Sequence, residues 1–302
     1  MNTRLRRIFS SVAFSLMVLM ASAIEGHQNQ NGANNDRNIH IKGCGISKRS
    51  YLERAINEFS TSYGYFPRLS GGGATKGIRL AALGTVDIGA TCRHQLIDIL
   101  GDVHEDETGV ELIQVGWDAL VVIVNQNNPV NDIALDELKK VFSGGIRSWK
   151  DLGGADKEIH TLIRKDKNSG VGYMSRLLMF ENVNFKFKET VFEYDSTIPL
   201  ENNVIRREDA IAIDGISSAK KLPLKILSLD GVYPGKANIA SGTYPYYRPL
   251  YLAVSKNGKT PKVEQFLEFI LGPEGQRIIS EEGSINLSEG KLLFDLWDKR
   301  PK

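Results

Sequence analysis

Apolar and polar positions alternate between two periods along most of this chain. Residues 39–42 follow the strand period and end at Gly43-Cys44-Gly45. A helical pattern follows, N-capped by Ser47, with Tyr51, Leu52, Ala55, Ile56 and Phe59 on one face and Gly64 at its end. Gly71, Gly72 and Gly73 open a short helix carrying Ile78, Ala81 and Ala82. Gly84 closes it, and residues 86–90 read as a buried strand. Strand patterns recur at 110–115 and 119–124, separated by Gly116-Trp117-Asp118, and again at 159–163, 211–213, 226–229 and 244–254. Helical patterns cover 134–142, a segment opened by Asn168-Ser169-Gly170, 263–271 and 273–280.

Strands alternating with helices predict an α/β fold with parallel strands. The first series of elements is interrupted and then resumed. This predicts two lobes, each a mixed sheet flanked by helices: lobe one from 39–117 and 246–302, lobe two from 118–245. A ligand in such a fold sits between the lobes, at strand ends and helix starts.

The N-terminus changes this picture. Arg4, Arg6 and Arg7 precede an apolar run over residues 8–20, and Ala21-Ser22-Ala23 offers small residues for cleavage. Residues 1–23 therefore read as a secretory signal peptide, and the polar stretch 24–38 as a flexible linker. The chain has 38 basic and 36 acidic side chains. Removing the three arginines leaves 35 against 36, a net of −1. That balance gives no basic surface for nucleic acid. No later apolar run is long enough to span a membrane.

The chemistry on offer is anion binding. Three helix starts supply free N–H groups and favour negative charge: Gly45-Ile46-Ser47, Gly73-Ala74-Thr75 and Ser169-Gly170-Val171. Arg93 and Arg164 each follow a strand, where a guanidinium can grip a tetrahedral oxyanion. Asp166 is placed to hold Arg164. No nucleophile and base pair stands out among the five histidines and the serines, so no enzyme activity is expected.

GGGATKGI…GTVDIGATCR resembles the second binding loop of periplasmic phosphate-binding proteins of ABC transporters. DALVVIVNQNNPV, IRKDKNSGVGYMSRLL and LDGVYPGKANIASGTYPYYRPLYLAV resemble other segments of that family in order, across residues 38–288. The resemblance implies a type 2 periplasmic binding protein fold closing on phosphate, without metal or cofactor. By position, Ser47 matches a donor threonine, Arg164 the ligand arginine, and Ser169 and Gly170 third-loop donors. Three positions depart. Ala74 replaces a serine, Val171 a threonine, and Cys92 an aspartate that some members use to accept the ligand's proton.

The expected ligand-binding set is therefore Gly45, Ser47, Gly73, Ala74, Thr75, Cys92, Arg93, Arg164, Ser169, Gly170 and Val171. Cys44 and Cys92 leave three readings open: a disulfide, two packed thiols, or a metal site with His40 and His94. The expected function is an exported, periplasmic, monomeric receptor that delivers an inorganic oxyanion, phosphate first, to a membrane ABC permease. The alternatives are a sensor or interaction module with an altered anion site, and a thiol- or metal-dependent binder using Cys44 and Cys92.

Overall fold

The computed structural model describes residues 37–98 and 100–300. The signal peptide and nearly all of the linker lie outside the described residues. The linker's last residue does not: β1 (Asn38–Gly43) already begins at Asn38.

A continuous helical run over residues 45–63, here α1, follows β1. It comprises Gly45–Ser47, a π-helical turn Lys48–Leu52, and Glu53–Tyr63. Then come β2 (Phe66–Gly71), α2 (Ala74–Ala82) and β3 (Ile88–Thr91). A long β4 (Val110–Asn125) leads to β5 (Asp132–Ile133), α3 (Leu135–Ser143), β6 (His160–Arg164) and α4 (Gly170–Leu178). Next are β7 (Phe192–Tyr194), α5 (Thr197–Arg206), β8 (Ala210–Gly215) and α6 (Ile216–Ala219). The chain continues through β9 (Leu224–Ile226), β10 (Ser228–Leu229), α7 (Lys236–Ala240) and β11 (Tyr247–Ser255). It closes with α8 (Pro261–Leu271), α9 (Pro273–Glu281) and α10 (Lys291–Asp298).

The main sheet has the order β2-β1-β3-β11-β4-β8-β6-β7, with β9 also on β4. The β2-β1-β3 and β8-β6-β7 ends are parallel, while β4 and β11 are antiparallel to their neighbours. This is the expected two-lobed α/β fold. Strand β4 belongs to both halves. Its residues 110–119 pair with β11, and residues 120–125 with β8 and β9.

Gly116-Trp117-Asp118 was expected to break β4, yet the strand runs straight through. The charge that suggested a break is compensated inside the sheet. Asp118 is fully buried and bonds the equally buried Arg248 of β11 at 2.9 Å, and it accepts from the Ser217 hydroxyl at 2.8 Å. Pro249 also sits within β11, opposite Trp117. Trp117 exchanges its backbone hydrogen bonds with Ile285 instead, so the ladder asks no N–H of the proline. Residues 226–229, expected as one strand, are split between β9 and β10.

Helix α2 lies tightly on β1 and β3. A β-carbon at Gly77 would stand 2.7 Å from the Lys42 carbonyl and 2.9 Å from that of Ala90. This close approach fixes where the helix start points. Trp117 meets the rings of Tyr247 and Trp297 at 5.8 and 6.2 Å, which pins α10 against β4 and β11.

Candidate functional site

The expected residues fall into two neighbouring groups, an inner knot and an outer cavity. The knot begins at Cys44, whose backbone N–H donates to the Ala90 carbonyl at 2.8 Å, tying the end of β1 to β3. Cys44 is also the residue that caps α1. Ser47 was expected in that role but lies inside the helix, with αR dihedrals. Its hydroxyl is buried and has no hydrogen-bond partner.

Helix α2 is capped by the backbone of Gly73, at φ +89, a value suited to glycine. Thr75, in its first turn, donates its hydroxyl to the Asn168 carbonyl at 2.9 Å. That bond ties the second loop to the loop before α4. Arg93 does the same. Its guanidinium donates to the Asn168 carbonyl at 2.8 Å, to the Thr75 hydroxyl at 3.2 Å, to the His94 carbonyl at 2.7 Å, and twice to Glu107 at 2.8 and 2.9 Å. Five bonds exhaust its five N–H donors. Arg93, expected at the ligand, is instead a fully buried strut between loops. Burial alone would raise the Glu107 carboxyl, but the Arg93 hydrogen bonds and charge outweigh it and hold the pKa below the ordinary carboxylate value.

At the start of α4, the Ser169 hydroxyl accepts from the Gly172 N–H at 3.1 Å, an ordinary N-cap. Gly170 packs onto the two thiols. A β-carbon there would stand 2.2 Å from Cys92 Sγ, 3.5 Å from Ala74 Cβ and 3.7 Å from Cys44 Sγ. Val171 is buried. The three positions that depart from the family pattern thus all lie in or beside one knot, two of them directly under Gly170. The thiol of Cys92 fills the space where the second and third loops meet.

Cys44 and Cys92 are free, buried thiols hydrogen-bonded to one another, not a disulfide. Burial would push Cys44 up. The Cys92 hydrogen bond, the Arg248 charge and the N–H groups of Ser47 and Ile46 outweigh it and bring its pKa down to about 6. Cys92 is driven the other way, first by burial and then by its bond to Cys44. Of the pair, Cys44 is therefore the one that gives up its proton first, at a helix start and beside Arg248. Among the described residues, no cluster of three or more His, Cys, Asp and Glu forms a metal site. Arg248 also donates to the Gly170 carbonyl at 3.1 Å, so it fastens the third loop down.

Arg164 stands apart from this knot. Asp166 was expected to hold it but does not. The Asp166 carboxylate accepts from the Asn168 N–H at 2.9 Å instead. The Arg164 guanidinium donates to the Tyr194 carbonyl, the Thr197 hydroxyl and the Asp195 carbonyl at 3.3, 3.1 and 2.7 Å. These bonds fix its plane but neutralise none of its charge, and two N–H donors remain. It faces a cavity of about 280 Å³ bounded by Gly45 and Gly71–Gly73 on one side and by residues 195–198 on the other. Lys48 and Arg49 also line it, and each has a carboxylate, Glu53 at 3.7 Å and Glu201 at 2.5 Å.

Of the expected residues, Gly45, Gly73 and Arg164 therefore border open space. Ala74, Thr75, Cys92, Arg93 and Gly170 bring the loops together, and Ser169 caps its own helix. Sequence reasoning missed Glu107, Asp118 and Arg248. A charged residue inside an apolar strand was the signal for the last two. It also missed α5, whose Pro199 looks like a breaker but lies in the first turn, where proline is tolerated.

Comparisons with known proteins agree with this architecture. The profile of a family described as "PBP superfamily domain" matches residues 29–274. The phosphate-binding protein PstS of Bacillus subtilis is 28% identical over 236 residues, covering 77% of this chain and 75% of the relative. A putative phosphate ABC transporter substrate-binding protein with bound phosphate, from Clostridium perfringens, superposes with a TM-score of 0.73 at 25% identity, over 82% of this chain and 99% of that one. An ABC-type phosphate transport receptor from Vibrio cholerae shares the fold, with a TM-score of 0.63 at 24% identity, over 82% and 99%.

Proposed function

The chain belongs to the PBP superfamily, and from that premise we propose that it is an exported receptor that captures phosphate between its lobes and delivers it to an ABC permease. The observation that carries the reading is Arg164. Among the described residues its guanidinium has no carboxylate partner; it is held by three acceptors and faces a cavity bordered by glycines at the starts of α1 and α2. A preorganised cation facing open glycine backbone suits a tetrahedral oxyanion. The relatives named as phosphate-binding proteins support the choice of anion.

The role is capture and release, not catalysis. Lobe one is assigned 39–117 and 246–302, and lobe two 118–245. A ligand touching Gly73 on one side and Arg164 on the other favours the closed arrangement, because it gains contacts only there. The N-terminal leader directs the chain to the periplasm, where it works as a monomer. Among the described residues no helix is long and apolar enough to cross a membrane.

Equilibrium dialysis with inorganic phosphate tests the reading. Saturable one-to-one binding is expected, weakened about 10- to 100-fold by Arg164→Ala, since hydrogen bonds to a charged group contribute roughly 1.5–3 kcal/mol. Absence of binding, or equal binding by the variant, overturns it. A second reading, an altered site serving sensing or interaction, is favoured by the contact of Gly170 on Cys92, and absence of phosphate binding would leave it standing.

A further inference from the structure

Anion capture at Arg164 makes no use of Cys44 and Cys92, two free thiols in hydrogen-bond contact. The sheet itself brings them together. Cys44 follows β1 and Cys92 follows β3, strands that pair in parallel with Gly43 opposite Ala90. The Cys44 N–H also donates to the Ala90 carbonyl at 2.8 Å. The pair is therefore held by backbone pairing and does not depend on α4.

Its cover does. Gly170, the first residue of α4, lies over both sulfurs: a β-carbon there would stand 2.2 Å from Cys92 Sγ and 3.7 Å from Cys44 Sγ. Side chains hold this helix start down by two carbonyls. Arg248 donates to that of Gly170, and Thr75 and Arg93 donate to that of Asn168. A helix start fastened this way can lift while the strands beneath it stay paired. Cys44 is 4% exposed and Cys92 fully buried. Gly45, next to Cys44, lines the Arg164 cavity, so Cys44 is the sulfur nearer open space. Burial opposes its ionisation, but the Cys92 hydrogen bond and the Arg248 charge bring its pKa down to about 6. At neutral pH it is a thiolate, the form that attacks disulfides.

Resting on the reading above for compartment and ligand, we propose that Cys44 and Cys92 are a redox-modification site gated by α4. When the start of α4 lifts, the pair closes to a disulfide by exchange with a small-molecule disulfide, of the kind an exported chain meets. The Cys44 thiolate attacks one sulfur of that molecule, forms a mixed disulfide and expels a thiolate. Cys92 then gives up its proton and attacks Cys44 Sγ, which forms the internal bond and expels the second half. The protein pair is oxidised by two electrons, and the small disulfide is reduced to two thiols that share the proton from Cys92. Strand β6 ends at Arg164 and leads into α4. An anion that draws Arg164 toward Gly45 and Gly73 therefore seats α4 on the thiols and keeps them reduced.

Oxidised glutathione added to the full chain at neutral pH tests this, with the remaining thiols alkylated and counted by intact mass. The empty chain is expected to lose both thiols together, as an internal disulfide, faster than it unfolds globally by circular dichroism. Inorganic phosphate at about ten times its Kd is expected to slow the reaction by about the same factor, because it binds only with α4 seated. Cys92→Ser is expected to keep glutathione on Cys44 as a mixed disulfide. Cys44→Ser is expected to react about tenfold more slowly than wild type or slower still, since burial holds the proton on Cys92. Thiols that stay reduced in the empty chain, or that oxidise no faster than the chain unfolds, overturn the inference. So does an undiminished rate with phosphate bound. Each of these leaves the phosphate reading intact. Absence of phosphate binding, with the empty chain oxidising as expected, overturns that reading and supports the redox site. The wild-type arms decide the matter whether or not a variant folds.

Discussion

Two residues decide the electrostatics at the centre of this chain, and both are cysteines. Burial would raise Cys44, but the hydrogen bond from Cys92, then the Arg248 charge and the N–H groups at the start of α1, outweigh it and lower its thiol to about 6, while burial raises Cys92. Above that value its thiolate occupies a nest of N–H groups of the kind that binds oxyanions elsewhere. A pH dependence follows. In the folded chain Cys44 loses its proton near 6, whereas an unfolded thiol loses it near ~8.5. Between those values the unfolded state binds more protons, so stability rises with pH through this window and is lost as pH falls toward 6. Scanning calorimetry at pH 6, 7 and 8 should show a rising Tm in the wild type and a flatter one in Cys44→Ser. Parallel curves would mean that Cys44 carries no charge in the fold.

Elements, not single residues, bring the loops together. Helix α4 is pressed onto the thiols by Arg248, which holds the Gly170 carbonyl, and by Thr75 and Arg93, which hold that of Asn168. Gly170→Ala would drive its β-carbon into Cys92 Sγ. Overpacking of this kind costs about 1–3 kcal/mol. The variant should melt several degrees lower, and Cys92→Ala should restore much of the loss in the double variant. Additive effects of the two substitutions would show that the contact is slack. The elements themselves were largely legible in the sequence, because each buries one face and period reports that directly. Residues 39–42, 86–90 and 159–163 are strands as their patterns require, or overlap strands closely. What period could not report was pairing across long separations. Asp118 looked like a turn because its partner, Arg248, is 130 residues away. Arg93 looked like a ligand residue because Glu107 lies in a 3-10 turn that no pattern marks. Arg164 stands at the end of β6 as expected, but the acceptors that orient it run from the end of β7 into the first residue of α5, a helix the sequence pattern does not mark.

At the scale of the molecule, one long strand, β4, runs through both halves, and β11 returns beside it. The loops that carry Gly73 and Arg164 face one another across the cavity. The knot of Cys44, Cys92 and Gly170 joins the halves on the inner side, while the cavity at Arg164 remains open to a ligand. The bound anion is therefore expected beside Arg164, outside the thiol knot. A crystal grown with arsenate, located by its anomalous scattering, tests that placement directly. The account predicts one peak within hydrogen-bonding distance of the Arg164 guanidinium, between Gly45 and Gly73. A peak lodged between Cys92 and Ser169, or no peak at saturating arsenate, would contradict it.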